Sequence, residues 1–123
     1  MKKTVMIIDD ETDFCFFLKQ NLEDTKEFSV VTVSNALEAV AKVKSTKPDI
    51  IFLDVMMPGK SGPDIAQELK SDVETRNIPV VFLTAIVEEE EVNQKKNIIG
   101  GWLYLSKPVK LQELVRMIRE LTG

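Results

Sequence analysis

Three carboxylates that follow two short apolar runs are the residues of this chain that point most directly to chemistry. Asp9 and Asp10 come directly after the run at 5–8, and Asp54 comes directly after the run at 50–53. Each run is typical of a buried parallel strand, and open α/β sheets carry their ligand sites at the carboxyl ends of such strands. We therefore expect the carboxylates to converge in one crevice. Because clustered carboxylates repel each other unless a cation neutralises them, they predict a site for a hard divalent metal such as Mg²⁺.

Two further polar residues stand at the ends of later apolar runs. Thr84 follows the run at 80–83, and Lys107 comes shortly after the run at 102–105. A lysine ammonium is a compact cation for phosphate, and a threonine hydroxyl donates hydrogen bonds to phosphoryl oxygens. A metal neutralises phosphoryl oxygens, and a carboxylate can serve as a nucleophile. Together with the three carboxylates, these residues predict a phosphoryl-transfer site.

The elements that would position these residues alternate strictly along the chain. Such alternation predicts an α/β fold, a single doubly wound (βα)5 domain with a parallel five-stranded sheet and helices on both faces. The strands are predicted at 4–8, 28–33, 50–54, 80–83 and 102–105, and the fourth helix contains the acidic run at 88–91. The buried faces of the other four helices are predicted from apolar spacing to be Phe14, Phe17, Leu18 and Leu22; Leu37, Val40, Ala41 and Val43; Ile65, Ala66 and Leu69; and Leu111, Leu114, Val115, Ile118 and Leu121.

The bulk composition indicates one ordinary globular domain in a reducing compartment. The 123 residues are 44% apolar and 29% charged with a net charge of −4, which argues against DNA or an anionic membrane as a direct partner. Cys15 is the only cysteine and is interpreted as a small apolar filler. The N-terminus lacks a signal peptide and no apolar run approaches the roughly 20 residues of a membrane span, which favours the cytoplasm. Because the chain has no histidine, it cannot be its own phosphohistidine donor.

Four motifs give the chain a resemblance to the receiver domain of two-component response regulators. They are Ile-Ile-Asp-Asp at 7–10, Asp-Val-Met-Met-Pro at 54–58 with Gly62, Thr-Ala at 84–85, and Tyr-Leu-Ser-Lys-Pro at 104–108. They are spread over nearly the whole chain, in the order and spacing of that family. The resemblance implies one receiver domain over 1–123 with the flavodoxin-like strand order 2-1-3-4-5, and no output domain in this chain.

The resemblance also implies roles for the acidic residues. Asp54 would be the phosphoacceptor, which attacks the phosphorus of a phosphohistidine on a partner protein. Asp10 would bind Mg²⁺ or Mn²⁺ directly, and Asp9 would act mostly through metal-bound water. Met56 would offer its backbone carbonyl to the metal, together with a carboxylate oxygen of Asp54.

A second set of implied roles concerns the response to phosphorylation. Lys107, in a peptide to Pro108 that is usually cis in the family, would pair with Asp54 and then with the phosphoryl group. Thr84 and Tyr104 would form the switch pair, in which the hydroxyl moves to a phosphoryl oxygen and the ring swings inward behind it. The resemblance implies a phosphoacceptor with slow self-dephosphorylation rather than an enzyme with a diffusible substrate, and Ile86 stands where the family tunes phosphoryl lifetime.

The implied partners are proteins. A histidine kinase or histidine phosphotransfer protein would donate the phosphoryl group. Phe16 lies off the inner stripe of its helix and is either a candidate docking residue or partly buried against a neighbouring loop. A downstream partner or fused output domain would bind the face formed by the fourth helix, the fifth strand and the fifth helix. Trp102 and Leu103 replace the acids that support a salt-bridged dimer in one subfamily, which argues against that dimer here. Strand alternation predicts that Trp102 and Tyr104 point to the same side.

Two other functions are compatible with parts of the pattern. An aspartate-nucleophile phosphohydrolase similar to the haloacid dehalogenase group would need an Asp-x-Asp pair after the first strand, whereas Asp9 and Asp10 are adjacent. A receiver-like module that binds partners without phosphorylation usually lacks one of the site residues, and all of them are present here. Both functions therefore rank below the phosphoacceptor switch.

Overall fold

The computed structural model describes residues 2–85, 98–99 and 102–123. Within this part of the chain, one six-stranded sheet has the order β2-β1-β3-β4-β6-β5. The strands are β1 (Lys3–Ile8), β2 (Phe28–Val33), β3 (Ile50–Asp54), β4 (Val80–Thr84), β5 (Ile98–Ile99) and β6 (Trp102–Ser106), and the helices are α1 (Thr12–Asp24), α2 (Ala39–Thr46), α3 (Gly62–Ser71) and α4 (Leu111–Thr122).

The five longer strands are all parallel, and their order confirms the prediction of 2-1-3-4-5, with β6 as the fifth predicted strand. The predicted fourth helix around 88–91 and Ile86 lie outside the described residues, so α4 corresponds to the fifth predicted helix. No helix in the described part of the chain is both long and apolar enough to cross a membrane.

The two-residue strand β5 is a feature that the sequence analysis did not predict. It pairs antiparallel with the start of β6, with Ile98 opposite Leu103 and Ile99 opposite Trp102. The parallel five-stranded sheet is therefore extended at one edge by a short antiparallel strand.

Alternate residues of the strands bury against different helices, which gives a three-layer molecule. One side of the sheet, including Phe52 and Leu83, packs against buried residues of α1 and α4. The other side, including Leu53 and Phe82, packs against buried residues of α2 and α3. Nearly continuous apolar strands are expected where both faces of a parallel sheet are covered, and β3 is buried along its whole length.

Two predicted helix faces need correction. In α1 the buried stripe is Cys15, Leu18 and Leu22, whereas Phe17 is 63% exposed because it projects to the outer side of that stripe. Leu37 is 71% exposed because residues Ala36–Glu38 form a 3₁₀ turn before α2, so α-helical spacing does not apply there. Ala41, also predicted on the buried face, is exposed, and α2 buries Ala39 and Val43. Cys15 is buried in the core, which confirms its interpretation as a filler. The predicted faces of α3 and α4 are largely confirmed, except that Leu111 is exposed.

Candidate functional site

The carboxyl ends of the two central strands bring the three predicted carboxylates together. Ile8 is paired with Leu53 in the β1–β3 register, so Asp9 and Asp54 are the next positions along neighbouring strands. Carboxylate oxygens of Asp9, Asp10 and Asp54 all lie within 4.8 Å of one another. Asp9 and Asp54 are buried, and Asp10 is exposed at the mouth of the cluster.

Asp9 is fixed on one side by hydrogen bonds. Its backbone N–H donates to the Val33 carbonyl at 3.0 Å, and its Oδ1 accepts from the Glu11 N–H at 2.9 Å. The Cys15 thiol donates to its backbone carbonyl at 3.3 Å. The fully buried Oδ2 receives no hydrogen bond of good geometry from the described residues. A buried carboxylate oxygen in this condition needs a nearby cation.

Lys107 supplies the cation nearest to that oxygen. Its Nζ lies 2.8 Å from Asp9 Oδ2, 2.7 Å from Glu11 Oε1 and 3.7 Å from Asp54 Oδ1. Its backbone N–H donates to the Thr84 carbonyl at 2.9 Å, and the peptide to the next residue, Pro108, is cis, which confirms that expectation. One ammonium is thus shared among three carboxylates. Glu11 was not among the predicted site residues, although it is the third acid of an Asp-Asp-Glu run.

An aromatic ring also contacts this lysine. Lys107 Nζ lies 4.7 Å from the centre of the Phe14 ring, in the first turn of α1. The ring is half-buried and packs against the core under that helix. A cation over an aromatic face is attracted by the ring quadrupole. Phe14 therefore contributes to the position of the ammonium without adding charge.

The loop after β3 holds Asp54 against the start of α3. The Gly62 N–H donates to the Val55 carbonyl at 2.9 Å. A Cβ at Gly62 would lie only 2.2 Å from the Asp54 carbonyl oxygen, so a side chain there would force the backbone to move. Ser61 caps the helix by accepting from the Asp64 N–H at 3.2 Å, with proline in the first turn. The approach of α3 to the phosphoacceptor candidate thus depends on glycine.

The charges crowded at this site shift the pKa values of Asp54, Lys107 and Cys15. Burial, and next the charge of Asp9, raise the pKa of Asp54 to about 6, although Lys107 acts in the opposite direction. Burial alone would lower the pKa of Lys107, but its contacts with Asp9 and Glu11 outweigh burial and raise the pKa above its usual range. Burial, and then the charge of Asp9, raise the pKa of Cys15 to about 12, so this thiol is an inert core group.

The donor set fits a hard divalent cation. Three carboxylates at one sheet edge supply oxygen ligands, and oxygen is the ligand that Mg²⁺ prefers. Two observations indicate that this cluster is short of positive charge. Asp9 Oδ2 is buried without a well-formed hydrogen bond, and the pKa of Asp54 is raised. Met56 follows Asp54 with its N–H 3.4 Å from Asp54 Oδ1 and its side chain exposed.

The two residues of the implied switch pair lie on neighbouring strands. Thr84 ends β4 and is buried, and in the parallel register it lies beside Ser106 of β6. Tyr104 lies two positions earlier on β6, beside Phe82, and is half-buried. The Tyr104 and Trp102 rings both contact the Phe82 ring, which confirms that they share one side of the sheet.

These features define a class: a doubly wound α/β domain with an acidic, lysine-bearing site at the carboxyl edge of its parallel sheet. Residues 5–119 match the family described as the response regulator receiver domain, and the chain belongs to that family. It is thus a receiver domain of two-component signalling. The receiver architecture places its acidic site at the topological switch point where strand order reverses, next to the first strand.

Individual relatives support this assignment. The polar-differentiation response regulator DivK of Brucella anthropi is similar at 31% identity over 126 aligned positions, covering all of this chain and 98% of its own length. The phosphate regulon transcriptional regulatory protein PhoB of Pseudomonas aeruginosa is 36% identical over 117 positions, covering 95% of this chain but 50% of its own length. The structure of the signal receiver domain of a DNA-binding response regulator from Colwellia psychrerythraea is 28% identical, covers 98% of both chains and has a TM-score of 0.81.

Proposed function

We propose that residues 1–123 act as one phosphoacceptor domain, in which Asp54 receives a phosphoryl group from a phosphohistidine on a partner protein. The carrying observation is the cluster of Asp9, Asp10 and Asp54 within 4.8 Å, with Lys107 beside it. A P–O bond forms at an Asp54 carboxylate oxygen as the P–N bond breaks, and the imidazole nitrogen keeps the electron pair and takes up a proton. With a pKa of about 6, Asp54 is mostly ionised at neutral pH and can attack.

Asp9, Asp10, Asp54 and the Met56 backbone carbonyl are the groups that would hold Mg²⁺ or Mn²⁺ in this proposal. When bound, such an ion neutralises phosphoryl oxygens and lowers the repulsion between the incoming group and the carboxylates. The support is the shortage of positive charge around the buried Asp9 Oδ2, since among the described residues Lys107 is the one cation that pairs with Asp9, Glu11 and Asp54.

Lys107 and Thr84 are proposed to bind the transferred group. Lys107 Nζ is already 3.7 Å from Asp54 Oδ1, so a short movement brings it to a phosphoryl oxygen. Among the three carboxylates that pair with Lys107, Glu11 is the exposed one, so it is the partner most easily exchanged for a phosphoryl oxygen. Thr84 ends the strand next to β3, and its hydroxyl is a suitable donor for a second phosphoryl oxygen.

The proposed output of the domain is a change on the face that carries Tyr104. Phosphorylation adds roughly one further negative charge and three acceptor oxygens. Movement of the Thr84 hydroxyl towards that group makes room for the Tyr104 ring, and a downstream partner or fused output domain reads the result on the face containing β6 and α4. The shift requires that the new anion bind one arrangement better than the other.

The phosphoryl donor is proposed to dock on the exposed side of α1. Phe16 and Phe17 are adjacent and are 68% and 63% exposed. The first turn of the same helix carries Phe14, which contacts Lys107, so a partner covering α1 would also reach the mouth of the site. A histidine kinase or histidine phosphotransfer protein with an apolar helix around its phosphohistidine fits this surface.

Phosphotransfer from a phosphorylated histidine donor in the presence of Mg²⁺, read by intact mass, tests the proposal. Wild type should gain one phosphoryl group, Asp54→Asn should gain none, and the exposed, remote Asp24→Asn should behave as wild type. EDTA should abolish the gain. Equal phosphorylation of Asp54→Asn and wild type would refute Asp54 as the acceptor. Absence of phosphate in wild type from both this donor and acetyl phosphate would instead favour a partner-binding module that works without phosphorylation.

A second comparison separates docking from chemistry. Phe16→Ser and Phe17→Ser should slow transfer from the protein donor and leave phosphorylation by acetyl phosphate unchanged, because the small donor needs no helix surface. The apolar residue Val73 on the distant α3–β4 connection is similarly exposed, so Val73→Ser serves as the matched control. Equal slowing with both donors would contradict the docking role. Multiple turnover of small phosphate esters by wild type would point to a phosphohydrolase rather than a slowly self-dephosphorylating acceptor.

A further inference from the structure

Three aromatic rings occupy one side of two neighbouring strands. Phe82 of β4 is paired in register with Tyr104 of β6, and Trp102 lies two positions earlier on the same face of β6. The ring centres of Phe82 and Trp102 are 5.3 Å apart with planes at 65°, and those of Phe82 and Tyr104 are 5.2 Å apart with planes at 33°. Phe82 is fully buried, whereas the other two rings are half-buried.

Phe82 is therefore a shared support for two rings that reach the surface. Edge-to-face and tilted aromatic contacts of this kind favour particular ring geometries beyond simple burial. When the Tyr104 ring moves, Phe82 loses or changes one of its contacts, and the surroundings of Trp102 change with it.

We propose that Trp102 is a positioning residue for Tyr104: through their common contact with Phe82, the indole holds the tyrosine ring in place and biases its movement on phosphorylation. This inference rests on the proposed function, because it takes Tyr104 as the moving ring. It adds a residue that the implied switch pair of Thr84 and Tyr104 does not contain. The inference depends only on the two ring contacts in this chain.

The composition makes both rings separately observable. The chain contains one tryptophan and one tyrosine. Tryptophan emission therefore reports Trp102 alone, and a 3-fluorotyrosine label gives a fluorine NMR signal from Tyr104 alone. Neither measurement needs a mutation or an attached dye.

The first experiment follows Trp102 emission while acetyl phosphate and Mg²⁺ phosphorylate the full chain, with intact mass measured on the same samples. We expect the emission to change in step with phosphorylation in wild type, and this change to be lost in Tyr104→Ala although Asp54 is still phosphorylated. Phosphorylation without an emission change would overturn the inference and leave the proposed function standing. No phosphorylation at all would refute the proposed function itself. An emission change that persists in Tyr104→Ala would also overturn the inference.

The second experiment measures the fluorine signal of labelled Tyr104 in Trp102→Ala, Trp102→Phe and the exposed, remote control Val73→Ala. Loss of one aromatic contact should change the ratio between the unphosphorylated and phosphorylated ring positions by about two- to tenfold. Trp102→Phe should restore much of the wild-type ratio, and Val73→Ala should not change it. A ratio equal to wild type in Trp102→Ala would overturn the inference. If Trp102→Ala does not fold, Trp102→Leu, which keeps apolar volume without a ring, provides the same comparison with Trp102→Phe.

Discussion

Two groups of charged side chains in this domain hold their carboxylates in opposite ways. Between α2 and α3, acids and bases pair one to one: Lys44 Nζ lies 2.7 Å from Asp72 Oδ2, and Lys60 pairs with Glu68. At the carboxyl edge of the sheet, the single ammonium of Lys107 is shared among three carboxylates. The first arrangement is exposed and balanced, and the second is largely buried and has excess negative charge.

Aspartate therefore has its pKa shifted in opposite directions in the two places. A hydrogen bond from Lys44 lowers the pKa of Asp72, whereas burial and the neighbouring Asp9 raise the pKa of Asp54 to about 6. The ionised form of Asp72 is therefore more stable in the folded protein than in the unfolded chain, whereas the ionised form of Asp54 is less stable in the folded protein. This difference indicates that the site is short of positive charge at a cost to the stability of the metal-free fold, as the proposed binding of a cation and a phosphoryl group requires.

The largest expected effect comes from removing the shared cation. Without metal at pH 7, Lys107→Met should lower the free energy of unfolding by about 3 kcal/mol, because it removes the ammonium that pairs with the fully buried Asp9 carboxylate. Lys44→Met removes an exposed one-to-one pair and should cost much less. Urea unfolding of both variants measures the difference, and Mg²⁺ should restore part of the loss in Lys107→Met only. Similar losses in both variants would erase the contrast between the two regions.

A smaller effect of opposite sign is expected when the crowded carboxylate itself is neutralised. The folded-state pKa of Asp54 is about 6 against an ordinary 3.8, so the folded state binds the proton more tightly than the unfolded state between these values. The contribution of Asp54 to stability is therefore fully present below about pH 4 and is lost as pH rises through about 6. Asp54→Asn should be more stable than metal-free wild type by about 2 kcal/mol at pH 8, and the difference should vanish near pH 4.

Asp72→Asn sharpens that comparison, because the pKa of Asp72 is lowered in the folded state. Its contribution is present at neutral pH and is lost as pH falls through the folded-state value, so Asp72→Asn should be slightly less stable than wild type at pH 8. Thermal or urea unfolding across pH 4–8 in EDTA gives both difference curves. Two curves of the same sign would show that burial and Asp9 do not set the acidity of Asp54.

The sequence predicted the site where backbone topology alone decides it. Parallel strands that end in Asp9 and Asp54 must present those residues at one edge, whatever the details of packing. Gly62 and the cis peptide at Lys107 were expected from the family resemblance rather than from topology. The contact between Lys107 and Glu11 was not predictable, because residues 96 positions apart meet only through side-chain reach in the folded chain.

Helix faces were less predictable because they depend on where a helix begins and how it rotates onto the sheet. Spacing placed Phe17 with Leu18 and Leu22, but the folded helix buries Cys15 in its stead. The 3₁₀ turn before α2 shifts the inner face to Ala39 and Val43 and leaves Leu37 outside. Apolar periodicity fixes which residues can share a face, and tertiary packing selects among the overlapping choices.

The smallest expected effect concerns the uncharged contact that holds the shared cation. Lys107 Nζ lies 4.7 Å from the Phe14 ring, so Phe14→Leu removes a cation–π contact worth about 0.5–1 kcal/mol. Because Phe14→Leu also alters packing, a double-mutant cycle with Lys107→Met isolates the pairwise energy from the change in volume. The exposed Phe17 on the same helix gives the matched pair, Phe17→Leu with Lys107→Met, which should show no coupling. Equal coupling at both positions would mean that Lys107 responds to the helix as a whole rather than to the ring beneath it. The position of the ammonium among its three carboxylates would then be set by charge alone.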